Sequence, residues 1–332
     1  MNYIYYNYTD DELFKIKDDK QINCIYYSKQ LFNMLKYDEQ AKFSEYDYDF
    51  SFNSSSKVNT YLTGYNLDIL CDKLCFASLF SNKKYCPLTI TKNNLWYYRI
   101  FKNKINNKNF FVKPQNGSCG YNIIITNDPI TRISKNDKLI AQEEIITKPI
   151  KNRKWDIRIY VVHQIINEKL HTFVYKDGII RLAPEIIELD NIRSKITNTS
   201  SLGYKDDPEE LNFSFKKHSN YDIFFSKIIN VIKDIHKFIS NDMIYKKIYC
   251  LSEFQLMGYD FIISENNQVF LLEINACPHA ILEKNSYLVK NLKYELYENI
   301  YKKFIKAHLF FYKKYDYITN EVYIMNDNFI EV

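Results

Sequence analysis

FQLMGYDFIISENNQVFLLEINACP (residues 254–278) holds two apolar runs, YDFII and QVFLLEIN, on either side of the polar SENN. The pattern predicts a β-hairpin, and because successive strand residues face opposite ways, Glu273 and Asn275 share one face. A four-residue connection that sets residue 264 opposite 269 also sets Asp260 opposite Glu273, within cross-strand reach. Two carboxylates and an amide oxygen form a set of hard oxygen ligands, the kind Mg²⁺ takes when phosphates complete its shell. Such residues could instead form the polar face of an edge hairpin. The apolar FLLEIN context opposes that reading, since Glu273 would be costly there without a cation.

Outward from this hairpin, residues 221–240 put Phe224, Ile228, Val231, Ile235 and Ile239 on one helical face. WDIRIYVVH, LHTFVY and IIRLA (155–183) read as three strands of an antiparallel meander, with turns near Asn167-Glu168 and Asp177-Gly178. FFVKP (110–114) and YNIIIT (121–126) make a second hairpin across QNGSCG, and KLIAQEEII (138–146) reads as a buried strand. Residues 66–86 carry Leu67, Leu70, Leu74 and Leu79 at near-helical spacing, and Pro87 is expected to end that helix. Residues 1–65 alternate short apolar and polar stretches and suggest a small lobe. After residue 280, a helix of about 25 residues is expected with Leu288, Leu292, Leu296, Ile300 and Phe304 at every fourth position. The whole pattern predicts an α+β protein with antiparallel sheets.

Two further groups of residues could carry chemistry. Lys113 precedes a loop with Gly117 and Gly120, where backbone N–H groups can approach phosphate oxygens and the ammonium adds a point charge. A structural glycine hairpin gives the same pattern, and no Gly-Lys-Ser/Thr opens a helix here. Lys154, Asp156 and Arg158 lie in one segment, with Asp156 and Arg158 on one face of a strand and Arg181 two strands later in the meander. Only six of the 45 basic residues are arginine, so a strand arginine is a candidate for fork-like binding of a carboxylate or phosphate, against the alternative of a surface ion pair. The six histidines show no metal or triad spacing. The seven cysteines form no C-x-x-C pair, as expected in a reducing compartment.

The 332 residues are 46% hydrophobic and 17% aromatic, which argues against disorder. The abundance of Tyr (30) and Phe (23) is read as compositional bias and not as a nucleic-acid stacking surface. A net charge of +5 suits an acidic partner but lacks the basic runs of a dedicated nucleic-acid binder. No secretory signal or membrane span is apparent, so a soluble protein of the cytoplasm or nucleus is expected, with association to the cytoskeleton open. A monomer is expected as well.

In order along the chain, these segments resemble the tubulin tyrosine ligase-like family. FVKPQNGSCGYNI looks like its K-P-x-x-G-x-x-G-x-G-I loop, and LIAQEEIITKPI resembles its Q-x-Y-I-x-x-P-L hinge. KWDIRIYVV is similar to K-F-D-I/L-R, KITNTS to H-L-T-N-x-S, and the final hairpin to F-E-L-x-G-x-D…W-L-x-E-V-N-x-x-P. DKL (72–74) and YCPLT (85–89) look like K-x-x-L and F-P-x-T-Y elements. The resemblance, which covers roughly 70–280, implies an ATP-grasp fold: an N-terminal lobe (1–68), a central lobe (69–143) and a C-terminal lobe (144–332). It implies that Lys73 and Lys113 contact nucleotide phosphates, that Gln142 holds adenine, and that Lys154 and Asp156 lie at adenine and ribose. Asn198 would sit near the phosphates, Asp260, Glu273 and Asn275 would bind Mg²⁺, and Arg158 and Arg181 would hold the acceptor carboxylate. Asn122 stands where the loop's last glycine is usual, and Asn tolerates positive φ better than most residues. Glu144 replaces the hinge Tyr and Lys195 the His. The implied activity is ATP-dependent joining of a free amino acid, Glu first and Tyr next, to a carboxylate of an acidic tubulin tail. The alternatives are an inactive tubulin-binding relative and a ligase for another protein or a small peptide.

Overall fold

The β-branched and aromatic runs pair into antiparallel sheets, where such side chains pack well on a pleated surface. A computed structural model describes residues 14–17, 22–25, 68–115, 122–166, 169–188, 192–197, 211–241, 253–275, 295–296 and 328–332. β1 (Phe14–Lys17) and β2 (Ile22–Ile25) form an N-terminal hairpin. The rest of the expected first lobe lies outside the described residues.

The single helix expected over 66–86 is two helices, α1 (Asp68–Cys71) and α2 (Lys73–Phe80). Asp72 separates them in an extended conformation, and its carboxylate accepts from the N–H groups of Leu74 and Cys75, each at 2.9 Å. A short acidic side chain competes for nearby backbone donors, so it caps a helix more readily than it continues one. α2 ends at Phe80, well before Pro87, and it buries Phe76, Ala77 and Phe80 while Leu74 and Leu79 stay half-buried.

β3 (Thr89–Ile90), β4 (Phe110–Pro114), β5 (Ile124–Thr126) and β6 (Leu139–Glu143) form a four-stranded sheet in the order β3-β6-β4-β5. The expected hairpin pairs Phe110 with Thr126 and Val112 with Ile124. Asn122 does adopt the left-handed conformation, with φ 57°. Two helices, α3 (Leu95–Ile100) and α4 (Pro129–Lys135), cover one face through Leu95 and Ile133, which pack with Ile90, Phe110, Val112 and Ala141. Strand alternation sends Phe111, Lys113 and Gln142 to the other face.

The six-stranded sheet comprises β7 (Trp155–Ile166), β8 (Lys169–Leu182), β9 (Asn212–Ser214), β10 (Glu253–Ile263), β11 (Val269–Asn275) and β12 (Phe329–Glu331). Its order is β11-β10-β7-β8-β12, with β9 also paired to β8. The expected three-stranded meander is therefore two strands. Asp177-Gly178 is not a turn but part of a bulge in β8: Ile159 pairs with Gly178, and two residues on Val161 pairs with Val174. The Asp177 carboxylate holds the bulge by accepting from Gly178 N–H (2.6 Å), Ser214 hydroxyl (2.7 Å) and Lys216 N–H (3.0 Å). A Cβ at Gly178 would lie 2.5 Å from the Arg158 carbonyl oxygen, so only glycine allows this approach.

α5 (Tyr221–Asn241) lays Phe224, Ile228, Val231, Ile235 and Ile239 on this sheet, the face expected from its spacing. They pack against Trp155, Ile157, Ile159 and Val161, and α2 joins the same core. Leu296 is buried, while the remainder of the expected terminal helix lies outside the described residues. Among the described residues no helix is long and apolar enough to cross a membrane.

Candidate functional site

Asp260 does pair with Glu273, and Gly258 with Asn275, but by a different route from the simple hairpin. Asn267, with φ 60°, closes a tighter loop in which Ser264 pairs with Gln268, and Ile263 lies opposite Val269. A bulge between Asp260 and Phe261 then takes up Leu272 and restores the register at Asp260. The bulge also frees the Leu272 carbonyl, which accepts from Gln142 Nε2 at 3.2 Å and ties the two sheets together.

Asp260 lies opposite Arg158 on β7, and Asp156 lies opposite Arg181 on β8. Arg158 donates through Nε and Nη2 to the two Asp260 oxygens at 2.8 and 2.7 Å. Arg181 grips Asp156 in the same forked manner at 2.6 and 2.7 Å and reaches Asp260 at 3.1 Å. The Thr197 hydroxyl also donates to Asp156. Burial alone would raise the Asp260 pKa, but the two guanidinium groups outweigh it and hold the carboxyl at about 2. Arg181 is thus on the strand next to Arg158, not two strands later as the meander reading placed it.

Glu273 is held far more loosely. Its nearest partners are Asn275 Nδ2 at 3.5 Å and Lys73 Nζ at 3.6 Å, and its side chain is 29% exposed. Asn275 Nδ2 also donates to Asp260 at 3.1 Å, so its amide bridges both carboxylates as a donor. Rotating that amide would present its oxygen instead, completing an all-oxygen set around one point. Among the described residues no three His, Cys, Asp or Glu side chains form a metal cluster. The set of two carboxylates and one amide fits a hard cation that takes its other ligands from phosphate or water.

A narrow crevice open to solvent is lined by Glu273, Lys73, Lys113, Gln142, Leu70 and Phe76 among others. Lys113 donates to Gln142 Oε1 at 2.8 Å. Burial pushes its ammonium below the ordinary lysine value, against the pull of Glu273, Asp260 and Asp156. Both ends of the Gln142 amide are engaged by protein, so its side chain links Lys113 to the hairpin. Lys154 lies 4.8 Å over the Phe111 ring, and with Lys195 it pairs with buried Glu144, each at 3.3 Å. The Lys73, Lys113, Arg158 and Arg181 charges exceed those of Asp156, Asp260 and Glu273 by one, which favours an anionic ligand such as a nucleotide's phosphates.

Gly117, Gly120 and Asn198 lie outside the described residues. Lys73, Lys113, Gln142, Asp156, Arg158, Arg181, Asp260, Glu273 and Asn275 converge here, and Lys154 stands at the Glu144 end. Sequence reasoning missed Tyr160, although period two already put it on the strand face of Asp156 and Arg158. Its buried hydroxyl has no hydrogen-bond partner among the described residues, and burial pushes its pKa up to about 12.

A model of the tubulin-tyrosine ligase family matches residues 92–310. The tubulin polyglutamylase TTLL7 of Xenopus tropicalis is 28% identical over 216 residues, which is 55% of this chain and 23% of that protein. A probable alpha-tubulin polyglutamylase of Tetrahymena thermophila is 27% identical over 233 residues, covering 59% of this chain and 54% of that one. The tubulin glycylase 3B of Drosophila melanogaster is 27% identical over 193 residues, covering 51% and 25%. The matched part is thus about a quarter to a half of these relatives' lengths.

Proposed function

The chain belongs to the tubulin-tyrosine ligase family, and we propose that it is an ATP-dependent ligase joining an amino acid to a carboxylate of an acidic tubulin tail. The observation that carries this reading is the pairing of Asp260 with Glu273 and Asn275 beside a crevice lined by Lys73 and Lys113. Asp260, Glu273 and Asn275 would hold Mg²⁺, which when bound supplies charge neutralisation between the nucleotide phosphates. Lys73 and Lys113 would neutralise the phosphates from the crevice side. Lys154 and the backbone near Gln142 would hold the base, with Asp156 at the ribose.

In the reaction so proposed, an acceptor carboxylate oxygen takes the γ-phosphoryl group and ADP leaves. The donor amine then attacks the acyl carbon, releasing phosphate and a proton. Arg158 and Arg181 would orient the acceptor carboxylate, for which they must exchange part of their grip on Asp260 and Asp156. Glutamate is our expected donor, with tyrosine next; two of the relatives just described carry polyglutamylase names. Incubating the protein with ATP, Mg²⁺, tubulin and one amino acid at a time, read by intact mass, tests this. An increment of one glutamate residue is the expected result. No increment with glutamate, tyrosine or glycine would reject the reading.

A further inference from the structure

α3 sends Leu95 into the core of the four-stranded sheet and leaves its larger apolar side chains outside. Trp96 is 62% exposed, Ile100 67% and Phe101 42%. Trp96 and Ile100 are one helical turn apart, so they share a face. Trp96 meets Tyr97 edge-on at 6.0 Å between ring centroids, and Tyr97 packs on Phe101 at 4.7 Å. Single exposed apolar residues are ordinary, whereas a contiguous patch marks an interaction surface.

The segment that carries this patch is one-sided in charge, although Asp128 lies within electrostatic reach of Lys102 and Glu143 within reach of Tyr98. Between Asp72 and Asp128 the chain has nine basic residues and no acidic one. The whole chain is only +5, so everything outside that segment is net acidic. Lys73 and Lys113 belong to the crevice, and Lys83 and Lys108 pair with Asp234 and Glu143. Arg99, Lys102 and Lys104 stand exposed on and beside α3, with Lys104 Nζ 5.2 Å over the Tyr97 ring.

We propose that the outer face of α3 is an exosite for an acidic polypeptide that carries apolar side chains. An apolar residue would seat on Trp96 and Ile100 while flanking carboxylates meet Arg99, Lys102 and Lys104. Buried aromatic anchors supply most of the affinity of such an interface, and the charges add on-rate and salt dependence. α3 covers the sheet face opposite Lys113 and Gln142, so this surface does not extend the crevice. A chain anchored here would present a different segment to the reacting groups at raised effective concentration. Identifying the bound chain as the enzyme's own acceptor rests on the ligase reading; the surface itself does not.

The protein has two tryptophans, and Trp155 is 3% exposed, so acrylamide quenching reports chiefly on Trp96. The probe is a synthetic Glu/Gly peptide containing one Phe, titrated into the full chain. The peptide should protect Trp96 from quenching and shift its emission to the blue. Lys102→Glu/Lys104→Glu should weaken binding about tenfold, and Glu273→Gln should bind like wild type. Absence of protection, or unchanged binding by the double variant, overturns the exosite. So does a Trp96 already shielded in the free protein, by another segment of the chain or by a second copy. Ligation of tubulin and of the same peptide separates the two ideas. Protection of Trp96 by the peptide, with no mass increment on tubulin for glutamate, tyrosine or glycine, would reject the ligase reading and keep the exosite. Ligation with the same KM in the double variant would reject the exosite and keep the ligase.

Discussion

Asp156, Arg158 and Tyr160 face one side of β7, while Ile157, Ile159, Val161 and His163 face the other, toward α5. Both sides bury polar groups, but of different kinds. On the helix side, His163 Nδ1 is 2.9 Å from the Thr172 hydroxyl, its Nε2 is 2.9 Å from the Tyr259 hydroxyl, and Thr172 also meets His236 Nδ1 at 2.9 Å. One tautomer set satisfies every group without charge: Tyr259 donates to His163, His163 to Thr172 and Thr172 to His236. Burial, and a smaller repulsion from His236, lower the His163 pKa to about 3, so it stays neutral. On the other side the groups stay charged, the Asp260 oxygens are crowded by two arginines, and Glu273 and the Tyr160 hydroxyl retain capacity for further partners. Polar burial alone therefore does not mark a site. A closed neutral network fixes packing, whereas a charged cluster with loosely held members can receive a ligand.

The largest test of this contrast is Arg158→Ala. It leaves Asp260 buried with one fork gone, and stability should fall by about 3 kcal/mol, read from the denaturant midpoint. A loss under about 1 kcal/mol would mean that the pair is as replaceable as a surface ion pair.

A smaller effect comes from pH. The folded-state pKa of His163 lies below its unfolded value, so between about pH 6.5 and 3 the unfolded chain binds the extra proton and stability falls with falling pH. From pH 7 to 5 this term costs about 2 kcal/mol. His236 is also lowered by burial and adds in the same sense. Asp260 is lowered too, by its arginines instead of by burial, so it acts in the same sense but in a lower window: its stabilising contribution is full above the unfolded carboxylate range and is lost as pH falls through about 2. Equilibrium unfolding at pH 7 and 5 should thus show the loss in wild type and a shallower slope in His163→Asn. An equal slope in that variant would place the titration elsewhere. Smallest is Tyr259→Phe, which removes one donor from the neutral network and should cost about 1–2 kcal/mol. A cost matching that of Arg158→Ala would erase the distinction between the faces.

Much of this contrast was legible as period-two alternation, which assigned Asp156 and Arg158 to one face and Glu273 and Asn275 to one face. The Asp260–Glu273 pair was legible too, although its derivation rested on a four-residue loop. The observed loop is tighter, and the extra residue reappears as the bulge at Leu272, so two local departures cancel. Asp177-Gly178 misled because Asp-Gly is a strong hairpin signal. Here the Asp177 carboxylate is taken by Ser214 and Lys216, which lie more than thirty residues away in sequence. The same limit hid the pairing of Arg158 with Asp260 and of Arg181 with Asp156. Fork geometry in the sequence marks a carboxylate binder, but not whether the carboxylate comes from a ligand or from the neighbouring strand. At residues 66–86 the leucine spacing was real, but the capping preference of Asp72 overrode it.

The central claim is that Glu273 is the cleft's open carboxylate and holds the metal that accompanies a nucleotide. Titration calorimetry of a non-hydrolysable ATP analogue, with and without Mg²⁺, tests it in wild type and Glu273→Gln. Magnesium should tighten binding to wild type, and that tightening should vanish in Glu273→Gln while the unfolding midpoint stays where it was, because among the described residues Glu273 makes only long contacts. Equal tightening by Mg²⁺ in both proteins would contradict the account.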